Sequence, residues 1–453
     1  MPKTSSRSEI SLDSKQSDPA QEQSRPVGYL QLIRANVDFR YLWSGQIVSL
    51  FGDWFSLIGS AALIAQLTQS GLAVGGLFVI RMLAQFVGTQ VGGVAADRYN
   101  RKRLLILTDI TRAVVAFGFL FVRGPELVWL LYALTALLMA ISGIFFPART
   151  AILADIVSKR ELGAANALSS TTWSVMLAVG SALGGFAAGQ WGIYQAFAVD
   201  GLTFVISAAL ISGVRYQKPA SGQETDLRAI VGEYLDGFRY LKREVDILFI
   251  TLHKAALGLL IAGGAISVVM VQISDTIFVI GEGGATSLGI LFAVVGLGTG
   301  VGPILSRRIT GDRERALRRI LPPMYLLAML GLVISAQLTS FETVLLGMFL
   351  RTFAVGAIWV FTTQLLYQLV PENYQGRVFA VEIALFTLGS AIGAAIGGWL
   401  LDVTPVGLGG LMWWMAAAGL IPALLWSAWM RRTSRNQSVP VPTQEGEEWR
   451  PLE

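Results

Sequence analysis

The side chains in this sequence that could do chemistry are charges embedded in long apolar runs. Asp53, Arg81, Asp109, Arg112, Lys254, Arg351 and Glu382 all lie in or one turn inside such runs. A charge at the centre of a membrane helix costs about 2.5–3.5 kcal/mol on insertion scales, so each one retained there is a functional candidate. Asp53, twelve residues into its run, reads either as a carboxylate that binds and releases a proton or as the structural partner of a basic residue. Glu382, one turn into a later run, can accept a proton or pair with Arg377. Arg81 and Arg351 fall near mid-depth, where they can pair with Asp53 or meet an anionic substrate. Lys254 is shallower and can snorkel toward the aqueous face. Asp109 and Arg112, at i and i+3, can pair on one helix face as a structural element. The single histidine, His253, reads as a packing residue. With no cysteine and one histidine, no metal site is expected, and no cofactor.

The chain around these charges has the composition of a membrane protein. Of 453 residues, 53% are hydrophobic and 14% charged, against about 25% charged in a soluble globular chain. The net charge of +5 does not indicate nucleic acid, because the basic residues cluster in short connections between apolar runs. Twelve windows are long enough to cross a bilayer core, at roughly 41–67, 72–95, 104–122, 126–147, 169–190, 196–214, 247–272, 284–305, 320–338, 342–368, 378–401 and 408–430. They are continuous apolar runs rather than period-two alternations, which excludes a closed barrel and leaves helices. Of the 35 Lys and Arg, 30 fall in one alternating set of connections. The positive-inside rule then places both termini in the cytoplasm.

The expected organisation is a polar, disordered cytoplasmic tail over 1–27, a six-helix half over 28–214, a linker over 215–246, a second six-helix half over 247–430 and a cytoplasmic tail over 431–453. Within the linker, Ile230, Tyr234, Phe238 and Leu241 recur at helical spacing and predict an amphipathic helix on the cytoplasmic surface. The halves resemble each other. The segment 180–184, Gly-Ser-Ala-Leu-Gly, returns at 389–393 as Gly-Ser-Ala-Ile-Gly, and Gly92 and Gly302 are 210 residues apart. Such an offset indicates two tandem repeats around a central site.

Several separated motifs carry a resemblance to a known family. The loop GGVAADRYNRKR at 92–103, between spans 2 and 3, resembles the signature loop of the major facilitator superfamily, with Gly92, Asp97, Arg98, Arg101, Lys102 and Arg103 in matching places. The resemblance implies that this loop closes the cytoplasmic side by joining the two halves; Arg149, just past span 4, is a candidate partner for Asp97, and Arg377 a further candidate for the cytoplasmic gate. The equivalent loop at 302–319 has Arg307 where Asp97 would fall, so only the first half supplies the acidic latch. Span 5 carries AVGSALGGFAAG, similar to the family's antiporter motif in Gly180, Gly184 and Gly185, with Ser181 in place of the usual proline. The substitution weakens the antiporter inference and leaves a helix-packing face, as also at Gly389 and Gly393. The stretches 49–54, 145–168 and 370–382 resemble the enterobactin-exporter and macrolide-efflux branch.

The resemblance implies an all-α membrane protein of two pseudo-symmetric six-helix halves, whose spans 1, 4, 7 and 10 line a central cavity. Asp53, Lys254 and Arg351 fall on those helices, a net basic set that suits an anionic substrate such as a siderophore. The expected function is inner-membrane export of a siderophore or drug-like small molecule by alternating access, driven by a proton gradient and carried out by a monomer. Uptake, lipid flipping or a non-transporting receptor of the same fold are the alternatives. An ATP-driven pump is disfavoured because no Gly-rich phosphate loop is present, and an enzyme because no nucleophile–base or metal constellation is.

Overall fold

The structure, a computed structural model, describes residues 28–217, 227–311 and 313–436. The tail expected over 1–27, the first part of the linker at 218–226, and 437–453 lie outside the described residues. The start of the tail expected at 431 is instead helical, because the last helix runs Gly407–Asn436.

Twelve helices among the described residues are long and apolar enough to cross a membrane. Spans 1 to 6 are Val37–Thr68, Gly71–Arg98, Arg101–Phe121, Pro125–Ile156, Leu162–Trp191 and Ile193–Ser212. Spans 7 to 12 are Val245–Thr276, Glu282–Thr310, Glu314–Ala336, Phe341–Leu369, Glu372–Val403 and Gly407–Arg431. Their ends follow local chemistry. Asn36, Ser70, Asn100 and Ser340 each accept a hydrogen bond from the backbone N–H three residues on, capping spans 1, 2, 3 and 10. Gly192, at φ +113°, makes the one-residue turn between spans 5 and 6. Because the spans number twelve, both ends of the described chain emerge on one face, called here the terminal face.

The repeat read from the sequence is present in the packing. In the first half, span 2 lies on span 4, span 3 on spans 4 and 6, and span 1 on spans 5 and 6; in the second half, span 8 lies on span 10, span 9 on spans 10 and 12, and span 7 on spans 11 and 12. Small residues permit these approaches. A Cβ on Gly92 would stand 2.6 Å from Ile144 Cα and 2.8 Å from Pro147 Cγ, so span 2 meets span 4 nearly backbone to backbone. Gly180 and Gly184 accept Trp54 and Phe55 of span 1, while their counterparts Gly389 and Gly393 pack on the Ala255 and Leu259 carbonyls of span 7.

The halves meet chiefly through span 2 against span 11 and span 5 against span 8. All the close glycine approaches between halves lie between mid-depth and the face opposite the termini. A Cβ on Gly75 would stand 2.5 Å from the Ala394 carbonyl, one on Gly185 2.5 Å from Gly289 Cα, and one on Gly296 2.7 Å from Ala178 N. Asp402, at the end of span 11, caps the start of span 2 by accepting from Ser70 Oγ at 2.6 Å, Gly71 N at 2.7 Å and Leu72 N at 3.0 Å. On the terminal side the linker helix, Leu227–Arg243, packs along span 11 and also touches span 2. Its Tyr234 ring lies 6.3 Å from Phe86, and a Cβ on its Gly237 would stand 2.6 Å from the Arg377 carbonyl. Leu241 is buried, as the helical spacing predicts, whereas Phe238 stays exposed under the Lys242 ammonium.

Candidate transport site

The first half holds a charge cluster where spans 1, 3 and 6 converge. Arg112 of span 3 is fully buried between the rings of Phe145 and Phe204, its guanidinium carbon 4.2 and 4.3 Å from their centroids. It forms an ion pair with Asp109 one turn away and reaches toward Asp53 of span 1, at 3.9 Å. Asp109 also accepts from Ser207 Oγ of span 6 at 2.7 Å. Thus the Asp109–Arg112 pair expected from i, i+3 spacing forms, and it is continuous with Asp53. A third carboxylate, Asp200 of span 6, accepts from Ser56 of span 1 and is wholly buried. Arg81 of span 2 interacts electrostatically with both Asp53 and Asp200. Asp53 differs from its neighbours in exposure: its side chain is 26% accessible, while that of Asp109 is at 0%.

Asp200 is absent from the candidates drawn from the sequence. The signal was there, an aspartate in the middle of the apolar run of span 6, and the rule that singled out Asp53 applies to it equally.

The second half holds a matched pair. Lys254 of span 7 and Glu382 of span 11 form an ion pair at 2.7 Å, both fully buried. Lys254 also donates to Thr363 Oγ1 at 2.6 Å and lies 3.9 Å from the Trp359 ring centroid, both on span 10. Two expectations are corrected here. Lys254 does not snorkel to the aqueous face, because a carboxylate, a hydroxyl and an aromatic face satisfy it in place. Glu382 pairs with Lys254 rather than Arg377, whose guanidinium lies 5.5 Å from the Tyr374 ring. Trp359 and Thr363, with Val360, Gln364, Tyr367 and Gln368, line a cavity of about 440 Å³ along the terminal half of span 10.

Arg351 is buried and donates to the Ile261 carbonyl at 2.8 Å. That carbonyl belongs to a π-helical turn, Gly258–Ala262, followed by non-helical backbone at Gly263, where span 7 is interrupted. An interrupted helix leaves carbonyls without their usual donors, and in lipid these need another. Arg351 supplies it, and so holds span 7 rather than presenting a cation to the cavity. With Lys254 neutralised as well, the net basic cavity expected from the sequence does not form. His253 has the packing role expected, its Nε2 2.8 Å from the Pro422 carbonyl and its ring among Phe249, Tyr325 and Trp426.

At the terminal face, Arg101 joins Asp155 at 2.5 Å and Asp97 at 3.8 Å, all within the first half. Asp155 is a further residue that sequence reading missed. Arg149, expected beside Asp97, is buried and donates to Gln46 Oε1 at 2.5 Å and Ser169 Oγ at 3.5 Å, tying span 4 to spans 1 and 5. Arg98 is exposed at the end of span 2.

The helix plan and the loop at 92–103 together agree with a known family. The model of the Major Facilitator Superfamily matches residues 42–381, and again 285–452. The chain belongs to the major facilitator superfamily. It is therefore a multi-pass membrane transporter and not an enzyme. Among its relatives, an uncharacterized MFS-type transporter, YfiS, of Bacillus subtilis (strain 168) is 27% identical over 392 residues, covering 83% of this chain and 90% of that protein. The enterobactin exporter EntS of Shigella boydii serotype 18 is 27% identical over 384 residues, covering 83% and 88%. Solved structures agree in fold. A bacterial homologue of the iron transporter ferroportin, in an inward-facing state, superposes with a TM-score of 0.66 at 14% identity over 86% of this chain and 98% of that one. The nucleoside transporter NupG gives a TM-score of 0.65 at 14% identity, over 87% and 99%.

Proposed function

We propose that this facilitator exports a small organic molecule across the bacterial inner membrane by alternating access, in exchange for protons, with both termini cytoplasmic. The observation that carries this reading is the one-sided closure of the molecule. Glycine contacts and the Asp402 cap join the halves on the face opposite the termini, while a cavity lies along the terminal half of span 10. With the basic connections cytoplasmic, that cavity faces the compartment from which an exporter loads. Asp53, partly accessible beside Arg112, is the carboxylate of the cluster best placed to exchange a proton with water.

The cavity wall also narrows the substrate. Trp359 and Tyr367 offer flat apolar faces, and Thr363, Gln364 and Gln368 offer uncharged hydrogen-bonding groups. This lining suits a ring-containing molecule rich in hydroxyl or carbonyl groups, a description that covers both catechol siderophores and macrolides. It replaces net positive charge as the basis for selection.

The test is proton movement in vesicles containing the reconstituted protein, on adding siderophores, macrolides and lipophilic cations. The expected result is proton movement with a compound of the first two classes, abolished in Asp53→Asn. Proton movement unchanged in that variant would move the coupling carboxylate elsewhere. Absence of movement with every compound, in folded protein, would overturn the coupled-export reading.

A further inference from the structure

The first-half cluster is unbalanced. Asp53, Asp109 and Asp200 face two guanidiniums, Arg112 and Arg81, drawn from spans 1, 2, 3 and 6. The other helices packed there add no partner to these carboxylates: span 4 contributes Phe145, its buried Arg149 one turn on being given to Gln46 and Ser169, and span 5 carries no charge between Ser169 and Gln190. Arg112 is committed to Asp109, which has a second donor in Ser207. What remains is two carboxylates, Asp53 and Asp200, served by Ser56 and by guanidiniums in looser contact.

Two further observations locate the imbalance. Asp200 Oδ1 and Asp53 Oδ1 are both buried without a hydrogen-bond donor. Asp200 Oδ1 is also aimed at span 1: a Cβ on Gly52, the residue before Asp53, would stand 2.5 Å from it. The glycine leaves room for the Asp200 carboxyl to lie against the backbone that carries Asp53. A buried acceptor without a donor is costly, and an uncompensated buried charge more so. One proton corrects both faults, since it removes one negative charge and turns one acceptor into a donor.

We propose that Asp53 and Asp200 together form a proton site holding one proton, in which Asp53 is the accessible port and Asp200 the buried store. The proton belongs to the pair, and it passes between a partly accessible carboxyl and one that no solvent reaches. Protonation balances the cluster at three negative groups, one neutralised, against two positive ones; loss of the proton leaves a net negative charge that Arg112 and Arg81 must move to screen. Because those arginines lie on spans 3 and 2, proton release changes the force between helices. This inference rests on the proton-coupled reading above for its role in transport, but the site itself can be tested without any substrate.

The experiment is infrared spectroscopy of the purified, full-length protein in lipid, following the carbonyl band of protonated carboxylic acid as pH is raised. The wild type is expected to show such a band at neutral pH that disappears in alkali. Asp200→Asn and Asp53→Asn are each expected to abolish it, because two carboxylates then balance two guanidiniums. Glu382→Gln, which alters the ion-paired carboxylate of the second half, is expected to leave it. Asparagine is nearly isosteric with the protonated acid, and Asp53, the more accessible of the two, gives a second variant should Asp200→Asn not fold. A band that survives both aspartate substitutions, or vanishes in Glu382→Gln alone, overturns the proposal. The outcomes separate from those of the vesicle assay. An acid band lost in both aspartate variants, with no compound moving protons, supports the site and removes the coupled-export reading; proton movement with the band unaffected by either variant does the reverse.

Discussion

In the first half of the molecule three carboxylates gather around Arg112 and Arg81, and one of them, Asp53, is partly accessible. In the second half Lys254 and Glu382 form a sealed pair, and Arg351 is tied to a backbone carbonyl. The two halves share one packing plan, so the difference lies in the charged side chains that each half places within it. A matched buried pair has no reason to exchange protons, and its use is to fix the position of span 7 against spans 10 and 11. An unbalanced cluster must gain or lose a proton to be stable. On the proton-coupled reading proposed above, the comparison places coupling in the first half and scaffolding in the second.

The largest effect expected follows from removing the centre of the first cluster. Arg112→Met strands Asp109, at 0% exposure, and removes the cation facing Asp53. Breaking a buried ion pair on one side costs about 3–5 kcal/mol, and with two carboxylates dependent on one guanidinium the upper end is expected. Thermal unfolding of the detergent-purified variant should begin far below that of the wild type, or no monodisperse protein should be recovered. Near-normal stability would mean that Arg112 does not hold the cluster together.

The second half should behave differently under paired substitution. Lys254→Met alone leaves Glu382 buried without its cation and is expected to lower stability by about 3 kcal/mol. Lys254→Met combined with Glu382→Met should recover most of that loss, since replacing both members of a buried pair by apolar groups is close to neutral. Proton movement, if coupling resides in the first half, should survive in the double variant. Its loss there would contradict the division between the halves more directly than any change in stability.

How much of this was legible in the sequence depends on the range of the interaction. The twelve spans were legible because each must be apolar over its own length, and because lipid permits no other backbone solution. The amphipathic linker helix and the Asp109–Arg112 pair were legible because both are set by spacing within one helix. The pairing of Lys254 with Glu382 was not, because nothing local to either residue states that spans 7 and 11 are neighbours. Arg351 was misassigned for a related reason. Its partner is a carbonyl freed by an interruption at Gly263, and a glycine inside an apolar run looks the same in sequence whether the helix continues or breaks. Asp200 was recoverable by depth alone, but its meaning came from Gly52, whose missing side chain admits it. The sequence left the glycine face of span 5 between an antiporter motif and a packing face, and did not divide it into Gly180 and Gly184, which serve span 1 of the same half, and Gly185, which serves the opposite half.

The smallest expected effect concerns the terminal-face loops, where the first half places an acid and the second a base. Asp97 is joined to Arg101 at 3.8 Å in the first half, and Arg307 occupies the corresponding place in the second. Asp97 is partly exposed, and an exposed ion pair contributes about 0–1 kcal/mol, so Asp97→Asn should leave stability close to wild type. Its effect should fall on the conformational cycle. In the state described here Arg101, Asp97 and Asp155 are engaged with one another on one side of the molecule. Closing the terminal face brings that loop toward the second half, where a charge change alters the energy of the closed state and not of the fold. A tenfold fall in transport rate would correspond to about 1.4 kcal/mol in the limiting step, within reach of one carboxylate meeting a cation in a closing interface. Arg307→Gln should not reproduce it, because the second-half loop carries a base, not an acid, at the place of Asp97. Equal slowing by the two substitutions would show that the loops act symmetrically, and would remove the terminal face from the asymmetry that the buried charges establish.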